Sequence, residues 1–180
     1  MGLYIAVGNV LDEDVDGLIL TVDGARLGLE GNIARQFARR YPDDWEDVAS
    51  RVRYPLPLGR AMGIACTLDA PFKMVVIAST LHHLDVFSDT QKLGIIRSAC
   101  SEAIAIASRS RLRSLAAAVM RGGWRLGTEE AFGAMVDASG SLAGLRGGLD
   151  LRVVVSSQDE AHVLTEVATR RGINLKVQEK

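Results

Sequence analysis

The sequence is poor in lysine, has no excess charge of one sign and contains no long apolar run. It has 21 basic and 22 acidic residues, and only four of the basic ones are lysines. A formal net charge of -1 gives no large electrostatic field, so composition favours neither a nucleic-acid binder nor an anionic-membrane binder. No stretch approaches the ~20 apolar residues of a membrane span, and no basic segment precedes an apolar run at the N-terminus. We therefore expect a cytoplasmic protein without membrane contact.

Cysteine is also scarce, and the histidines do not form a metal-binding pattern. Cys66 and Cys100 stand among small apolar residues, and two such thiols make neither a disulfide framework nor a metal cluster. No spacing typical of zinc ligands occurs. The adjacent His82 and His83 cannot both face one metal from a regular strand, so we expect them to face solvent or to rim a cleft. The sequence predicts no metal and no other cofactor.

The apolar residues that are present indicate one compact α/β domain over residues 1–180. They make up 48% of the chain, enough to bury about two thirds of the unfolded surface. Short runs rich in β-branched residues alternate with segments of helical period, which is the pattern of a sheet covered on both faces. Strands are predicted at 3–7, 17–22, 63–67, 74–79, 115–119, 151–156 and, at an edge, 173–177.

Five helices are predicted between these strands, beginning near residues 32, 43, 88, 128 and 157. Two of these helices have clear sequence signals at their N-termini. Ser88 with Gln91 three residues later has the spacing of a capping box, and Glu129 and Glu130 stand in a first turn where acidic residues favour the helix dipole. The segment 139–148, rich in glycine and serine, is predicted to be a loop.

Two loops that lead from a strand into a helix are unusually rich in glycine. The first spans residues 23–32, and the second is "MRGGWRLGTEE", residues 120–130. Ligands of open α/β sheets bind beyond the carboxyl ends of the strands, where glycine lets the main chain approach them and helix N-termini offer free N–H groups. Neither loop matches the dinucleotide or P-loop fingerprint. The glycines indicate either an anion site or only sharp turns. In the second case Trp124 would pack over the core as a lid.

Four segments resemble, in order and spacing, the macro domain family of ADP-ribose-binding modules. "GNVLDEDVDGLILTVDG" (8–24) is similar to the opening strand, acidic turn and V-D-A-I-V-N-A-A-N of the family. "GLEGNIARQFARRYP" (28–42) resembles its first glycine loop and following helix. "PLGRAMGIACTL" (57–68) looks like P-x-G-x-A-x-x-T, and residues 111–135 resemble the strand, S-T-G-x-x-G-x-P loop and helix.

The resemblance implies a three-layer α/β/α fold with a central mixed sheet, and a cleft between the two glycine loops. It implies that Asn9, where the family often has aspartate, accepts a hydrogen bond from the adenine amino group. The backbone of Gly28, Gly31, Asn32 and Ile33 would line the pyrophosphate. Enclosing the phosphate and the distal ribose would be Gly122, Gly123, Trp124, Arg125, Leu126 and Gly127.

The chain departs from the family at the end of its second predicted strand. Leu20-Thr21-Val22-Asp23 stands where hydrolytic members have N-A-A-N, which makes Asp23 the one candidate polar catalyst, as a base or as a partner of a ribose hydroxyl. We therefore expect a divergent member that binds ADP-ribose, a related nucleotide or an ADP-ribosylated protein, with or without hydrolysis of the ADP-ribosyl group.

Two other functions remain open. One is a structural or assembly module with a degenerate pocket, which would form a homo-oligomer. The other is a nucleotide sensor in which the ligand reshapes the loop around Trp124.

Overall fold

The structure, a computed structural model, describes residues 2–25, 31–123, 126–141 and 148–178. Within these ranges the strands are β1 (Gly2–Val7), β2 (Gly17–Asp23), β3 (Ala61–Ala65), β4 (Met74–Leu81), β5 (Ser114–Ala118), β6 (Asp150–Val155) and β7 (Leu175–Gln178). The helices are α1 (Asn32–Arg40), α2 (Pro42–Arg51), α3 (Asp89–Arg109), α4 (Thr128–Ser141) and α5 (Gln158–Arg170). All seven predicted strands and all five predicted helices are present.

The strands form one mixed sheet in the order β3-β4-β2-β5-β6-β1-β7. Only the edge strand β3 runs antiparallel to its neighbour; the described pairings of the other strands are parallel. Among the described helices, none is long and apolar enough to cross a membrane.

Helices cover both faces of the sheet, which confirms the predicted α/β/α architecture. On one face Phe37 of α1 and Val48 of α2 pack into a common core with β2 and β4. On the other face Ile96 of α3, Phe132 of α4 and Leu164 of α5 pack into a second core. Because both faces are buried, the central strands are continuous apolar runs rather than alternating ones.

In strand β2, successive side chains point to opposite faces of the sheet and therefore into different cores. Leu18 and Leu20 belong to the core beneath α1 and α2, whereas Ile19 belongs to the opposite core. The next residue on the Ile19 face is Thr21, which is only partly buried. The first polar side chain of β2 therefore lies near the carboxyl end of the strand, on the face that α1 does not cover.

Several boundaries differ from the sequence prediction: β3 and β7 are each shifted by about two residues, and the end of α4 differs most clearly. Residues 139–141, predicted as the start of a loop, continue α4. The buried Ser139 hydroxyl donates a hydrogen bond to the carbonyl oxygen of Val136, 2.8 Å away, so its polar group is satisfied inside the helix. Residues 142–147 of the predicted loop lie outside the described residues.

The pairing of β2 with β5 positions the functional site. The two strands pair only at Gly17 with Leu115 and at Leu18 with Ala116, although β2 continues to Asp23 and β5 to Ala118. On its other side β2 remains paired with β4 as far as Asp23. The sheet is therefore open between the carboxyl ends of β2 and β5.

Candidate functional site

The carboxyl ends of the central strands border a cleft with two lobes. The first lobe has a volume of about 360 Å³ and is lined by Gly8, Asn9, Val10, Gln36, Thr128, Val154, Val155, Ser156 and Glu160. The second lobe, of about 310 Å³, lies in the opening between β2 and β5 and is lined by Ile19, Thr21, Gly31, Gly122 and Gly123. Both lobes share Asn32, Ile33, Ala118, Val119 and Arg121, so they form one continuous cleft.

The N-terminus of α1 forms part of the shared wall. Its N-cap, Gly31, makes no side-chain capping bond, and the first intrahelical hydrogen bond is donated by Arg35 to the Gly31 carbonyl. The amides of Asn32 and Ile33 precede that bond, so they have no partner within the helix. Among the five described helices α1 alone has no acidic residue in its first turn. The partial positive charge of this terminus is therefore available to an anion in the cleft.

Arg121 brings a full positive charge to the same wall. Its Nε donates a hydrogen bond to the carbonyl oxygen of Leu126, 2.8 Å away, which fixes the guanidinium to the second glycine loop. The terminal N–H groups of the fork are not used by this bond, and such groups match phosphate oxygens. Arg121 is not among the predicted site residues; an arginine placed in a glycine loop directly after a buried strand is the signal that could have identified it.

Glu160 lines the first lobe near Arg121. Its Oε2 accepts hydrogen bonds from the hydroxyl and the amide of Ser156, at 2.8 and 3.0 Å. These two bonds, together with the positive charge of Arg121, hold the pKa of Glu160 below its ordinary value. The carboxylate is therefore ionised at neutral pH, and it contributes a negative charge to this end of the cleft. Glu160 is likewise not among the predicted site residues.

Asn9 lies at the outer end of the first lobe. Its Oδ1 accepts a hydrogen bond from the amide of Leu11, 3.0 Å away, and so caps the short 3-10 turn Val10–Asp12. The exposed side-chain NH₂ group therefore remains as a donor beside the apolar walls formed by Val10 and Val154. This turn is not among the predicted elements.

The second glycine loop reaches the cleft through its first glycines. Gly122 and Gly123 have φ angles of 60° and 68°, a left-handed conformation that glycine adopts without strain. Leu126 is buried, and neither it nor Gly127 is among the residues that line the two lobes. Three further residues predicted to contact the ligand, Gly28, Trp124 and Arg125, lie outside the described residues.

Asp23, predicted as a catalyst, is engaged with a histidine. Its side chain is 3% exposed; Oδ1 accepts a bond from the amide of Ala25, and Oδ2 lies 2.9 Å from both the amide nitrogen and Nδ1 of His83. Asp23 is not among the residues that line the two lobes.

The adjacent histidines were expected to face solvent or rim the cleft. His83 is exposed, whereas His82 is only partly so, and the Nε2 of His82 lies 3.0 Å from the carbonyl oxygen of Leu56. Neither ring lines a lobe. In the described ranges no three His, Cys, Asp or Glu side chains are grouped as metal ligands.

Comparisons with known proteins agree on the fold. No protein-family model and no curated protein matches the sequence. Among solved structures, the Oceanobacillus iheyensis macrodomain with ADP superposes with a TM-score of 0.76 at 14% identity over 92% of this chain and 88% of that one. The macrodomain of Mycobacterium tuberculosis DarG gives 0.66 at 23% identity over 87% and 100%. A Trypanosoma brucei macrodomain in complex with ADP gives 0.72 at 16% identity over 92% and 67%. The chain has the macrodomain fold, as its sequence motifs predicted.

Proposed function

We propose that the protein binds ADP-ribose, or a closely related nucleotide that contains an ADP-ribosyl group, in the two-lobed cleft. Two macrodomains that share its fold have been solved with ADP, which is the adenosine diphosphate part of ADP-ribose. An ADP-ribosylated protein would present the same nucleotide, so the proposal includes that class of partner.

The shared wall of the two lobes is the observation that carries the proposal. It combines the uncapped N-terminus of α1, at Asn32 and Ile33, with the guanidinium of Arg121. A pyrophosphate at this point would receive hydrogen bonds from main-chain amides and from a charged fork at once. Charge-assisted hydrogen bonds contribute about 1.5–3 kcal/mol each, and the helix terminus adds ~0.3–1 kcal/mol.

The two lobes differ in a way that matches the two halves of such a ligand. Val10, Val154 and Val155 give the first lobe apolar walls suited to a planar base, and the NH₂ group of Asn9 offers a donor to a ring nitrogen. The second lobe is bordered by Gly31, Gly122 and Gly123, where the main chain can approach a ribose closely. We therefore place adenosine in the first lobe and the distal ribose in the second.

The volume of the cleft favours ligand binding over the alternative of an assembly module with a degenerate pocket. In the described ranges, the walls enclose about 360 Å³ and 310 Å³, which is within the size of small-molecule sites. The assembly function predicts instead an obligate oligomer in light scattering and no nucleotide binding.

Calorimetric titration with ADP-ribose tests the proposal. We expect saturable binding that also occurs, more weakly, with ADP. The Gly31→Glu variant should abolish it, because a Cβ at this position would lie 2.5 Å from the carbonyl oxygen of Thr21, so the side chain would displace the start of α1 and add a negative charge there. Gly94→Glu is the matched control: Gly94 lies in α3 with open space around its Cα, so that variant should bind as the wild type does. No heat at millimolar ADP-ribose would overturn the proposal.

A further inference from the structure

Glu160 has one carboxylate oxygen available in the first lobe. The residue lies in the first turn of α5 and lines this lobe, and its Oε2 accepts both hydrogen bonds from Ser156. Its Oε1 has no hydrogen-bond partner among the described residues. An ionised carboxylate oxygen can only accept hydrogen bonds, so Glu160 can bind a hydroxyl group of a ligand but repels a second anion.

The order of the strands places Glu160 between the two ends of the first lobe. β5, β6 and β1 are neighbours in that order. Their carboxyl ends lead to Arg121, Glu160 and Asn9, respectively, and all three residues line the lobe. In the proposed function the diphosphate lies at Arg121 and the base lies beside Asn9. Because ribose connects these two groups in a nucleotide, the adenosine ribose lies at the carboxyl end of β6, next to Glu160.

We propose that Glu160 is a specificity-determining residue: it accepts a hydrogen bond from the 2′,3′-diol of the adenosine ribose and excludes nucleotides that carry a phosphate on that diol. The inference rests on the proposed function and adds the class of nucleotide that the cleft rejects. In dinucleotide-binding folds a carboxylate binds the ribose 2′-hydroxyl, whereas an arginine accommodates a 2′-phosphate. The two hydroxyls are neighbours on the ring, so a phosphate on either of them would lie beside Glu160.

No cation of the described chain is placed to bind a phosphate on that diol. Beyond Glu160 the first lobe continues, at Thr128, into a chamber of about 360 Å³. The described lining of this chamber includes three further carboxylates, from the first turns of α4 and α5, and no lysine or arginine. One of them, Glu129, is paired with Arg170, which does not line the chamber. Arg121 is the one basic residue in the described lining of the first lobe, and the diphosphate occupies it.

The experiment compares the dissociation constants of ADP-ribose and of ADP-ribose 2′-phosphate, measured by calorimetry at the same low salt concentration. Because both ligands contain the same base and the same diphosphate, the ratio of the two constants reports only on the surroundings of the diol. We expect the wild type to bind the 2′-phosphate ~30-fold more weakly or worse. Glu160→Gln should lower this ratio by ~10-fold, since its amide oxygen still accepts a hydrogen bond from a hydroxyl but carries no charge.

Two further variants separate a direct contact from a structural or long-range effect. Asp159→Asn is the matched control: it removes the same charge from the same turn of α5, at an exposed position that does not line the first lobe. Its ratio should stay within about threefold of the wild-type ratio. Glu160→Lys should reverse the preference, so that the 2′-phosphate binds more tightly than ADP-ribose. A misfolded variant would not gain affinity in this way.

The outcomes distinguish this inference from the proposed function. Wild-type protein that binds both ligands equally, within about threefold, would overturn the inference and leave the proposed function intact. The inference would also fail if Glu160→Gln kept the wild-type ratio, or if Asp159→Asn lowered the ratio as much as Glu160→Gln does. Absence of any ADP-ribose binding to the wild type would overturn both.

Discussion

The amide of Gly31 donates a hydrogen bond to the carbonyl oxygen of Thr21, 3.0 Å away, and this bond sets the start of α1 against the carboxyl end of β2. The contact leaves no room for a side chain, because a Cβ on Gly31 would lie 2.5 Å from the same oxygen. The backbone φ of Gly31 is -64°, which any residue can adopt. Glycine is therefore required here for space rather than for conformation.

The first prediction follows from this contact. Gly31→Ala should weaken ADP-ribose binding by about tenfold, or ~1.4 kcal/mol, because the strand and the helix must separate and the amides of Asn32 and Ile33 move with the helix. Calorimetry measures the loss. Gly94→Ala is the control: it lies in a helix with nothing near the new methyl group, so it should leave binding unchanged and stabilise the fold by ~0.5–1 kcal/mol.

The second prediction concerns the cation of the shared wall. Arg121→Ala should lower affinity for ADP-ribose by about 10–100-fold, because it removes charge-assisted hydrogen bonds worth ~1.5–3 kcal/mol. Arg121→Lys should recover only part of the loss, since an ammonium group cannot both hold the Leu126 carbonyl and fork onto a phosphate. Binding measured at rising salt should depend less on ionic strength in Arg121→Ala than in the wild type.

Glu160→Gln should have the opposite effect on affinity. It removes the carboxylate that faces Arg121 from the first lobe, so a diphosphate meets less negative charge, and we expect binding to strengthen by a few-fold at low salt. Equal weakening in Arg121→Ala and Glu160→Gln would contradict the assignment, because it would show that both residues only hold the loop in place.

The sequence predicts the fold well because local signals agree with the tertiary structure. The capping box at Ser88 and Gln91 forms as the spacing indicated, and α1 begins at Asn32, directly after the first glycine loop. These features depend on residues within one turn of each other, so the periodicity and the residue types are sufficient to find them.

The rest of the site depends on contacts between distant segments. His83 meets Asp23 across 60 positions, and Arg121 approaches Glu160 only because β5 and β6 are neighbours in the sheet. The opening between β2 and β5 arises where their pairing stops after Leu18, and no residue type marks that point. A single sequence gives no signal for such pairings, so it identified the loops but not the charges opposite them.

The third prediction is a stability that depends on pH through Asp16. Its carboxylate accepts hydrogen bonds from Nζ of Lys73 and the amide of Arg113, both at 2.6 Å, and these bonds lower its pKa in the folded state, with the Lys73 bond the larger cause. A carboxyl whose pKa is lower in the folded state stabilises the fold fully at pH values above its pKa in the unfolded chain, which is about 4. This stabilisation is lost as the pH falls through the pKa of the folded state.

Asp16→Asn should therefore destabilise the protein by ~1 kcal/mol at pH 7 and by progressively less below pH ~4. Urea unfolding at pH 7 and at pH 2.5 measures the difference. Asp14→Asn, a change at an exposed position two residues away, should leave stability nearly unchanged at both values. If Asp16→Asn lowered the free energy of unfolding equally at both pH values, the shape of the side chain and not its charge would determine the effect.

The fourth prediction concerns the two thiols, which burial makes unreactive to different degrees. Burial alone raises the pKa of Cys100 to about 12, and burial together with the charge of Asp44 raises the pKa of the half-buried Cys66 to about 11. The thiolate is the reactive form, so at pH 8 a disulfide reagent should label Cys66 slowly and leave Cys100 unlabelled in the folded protein. In urea both should react at once. Cys66→Ser isolates the second thiol: rapid labelling of Cys100 in that variant under native conditions would show that the packing of α3 against α4, where its Sγ faces the carbonyl oxygen of Met135, opens readily.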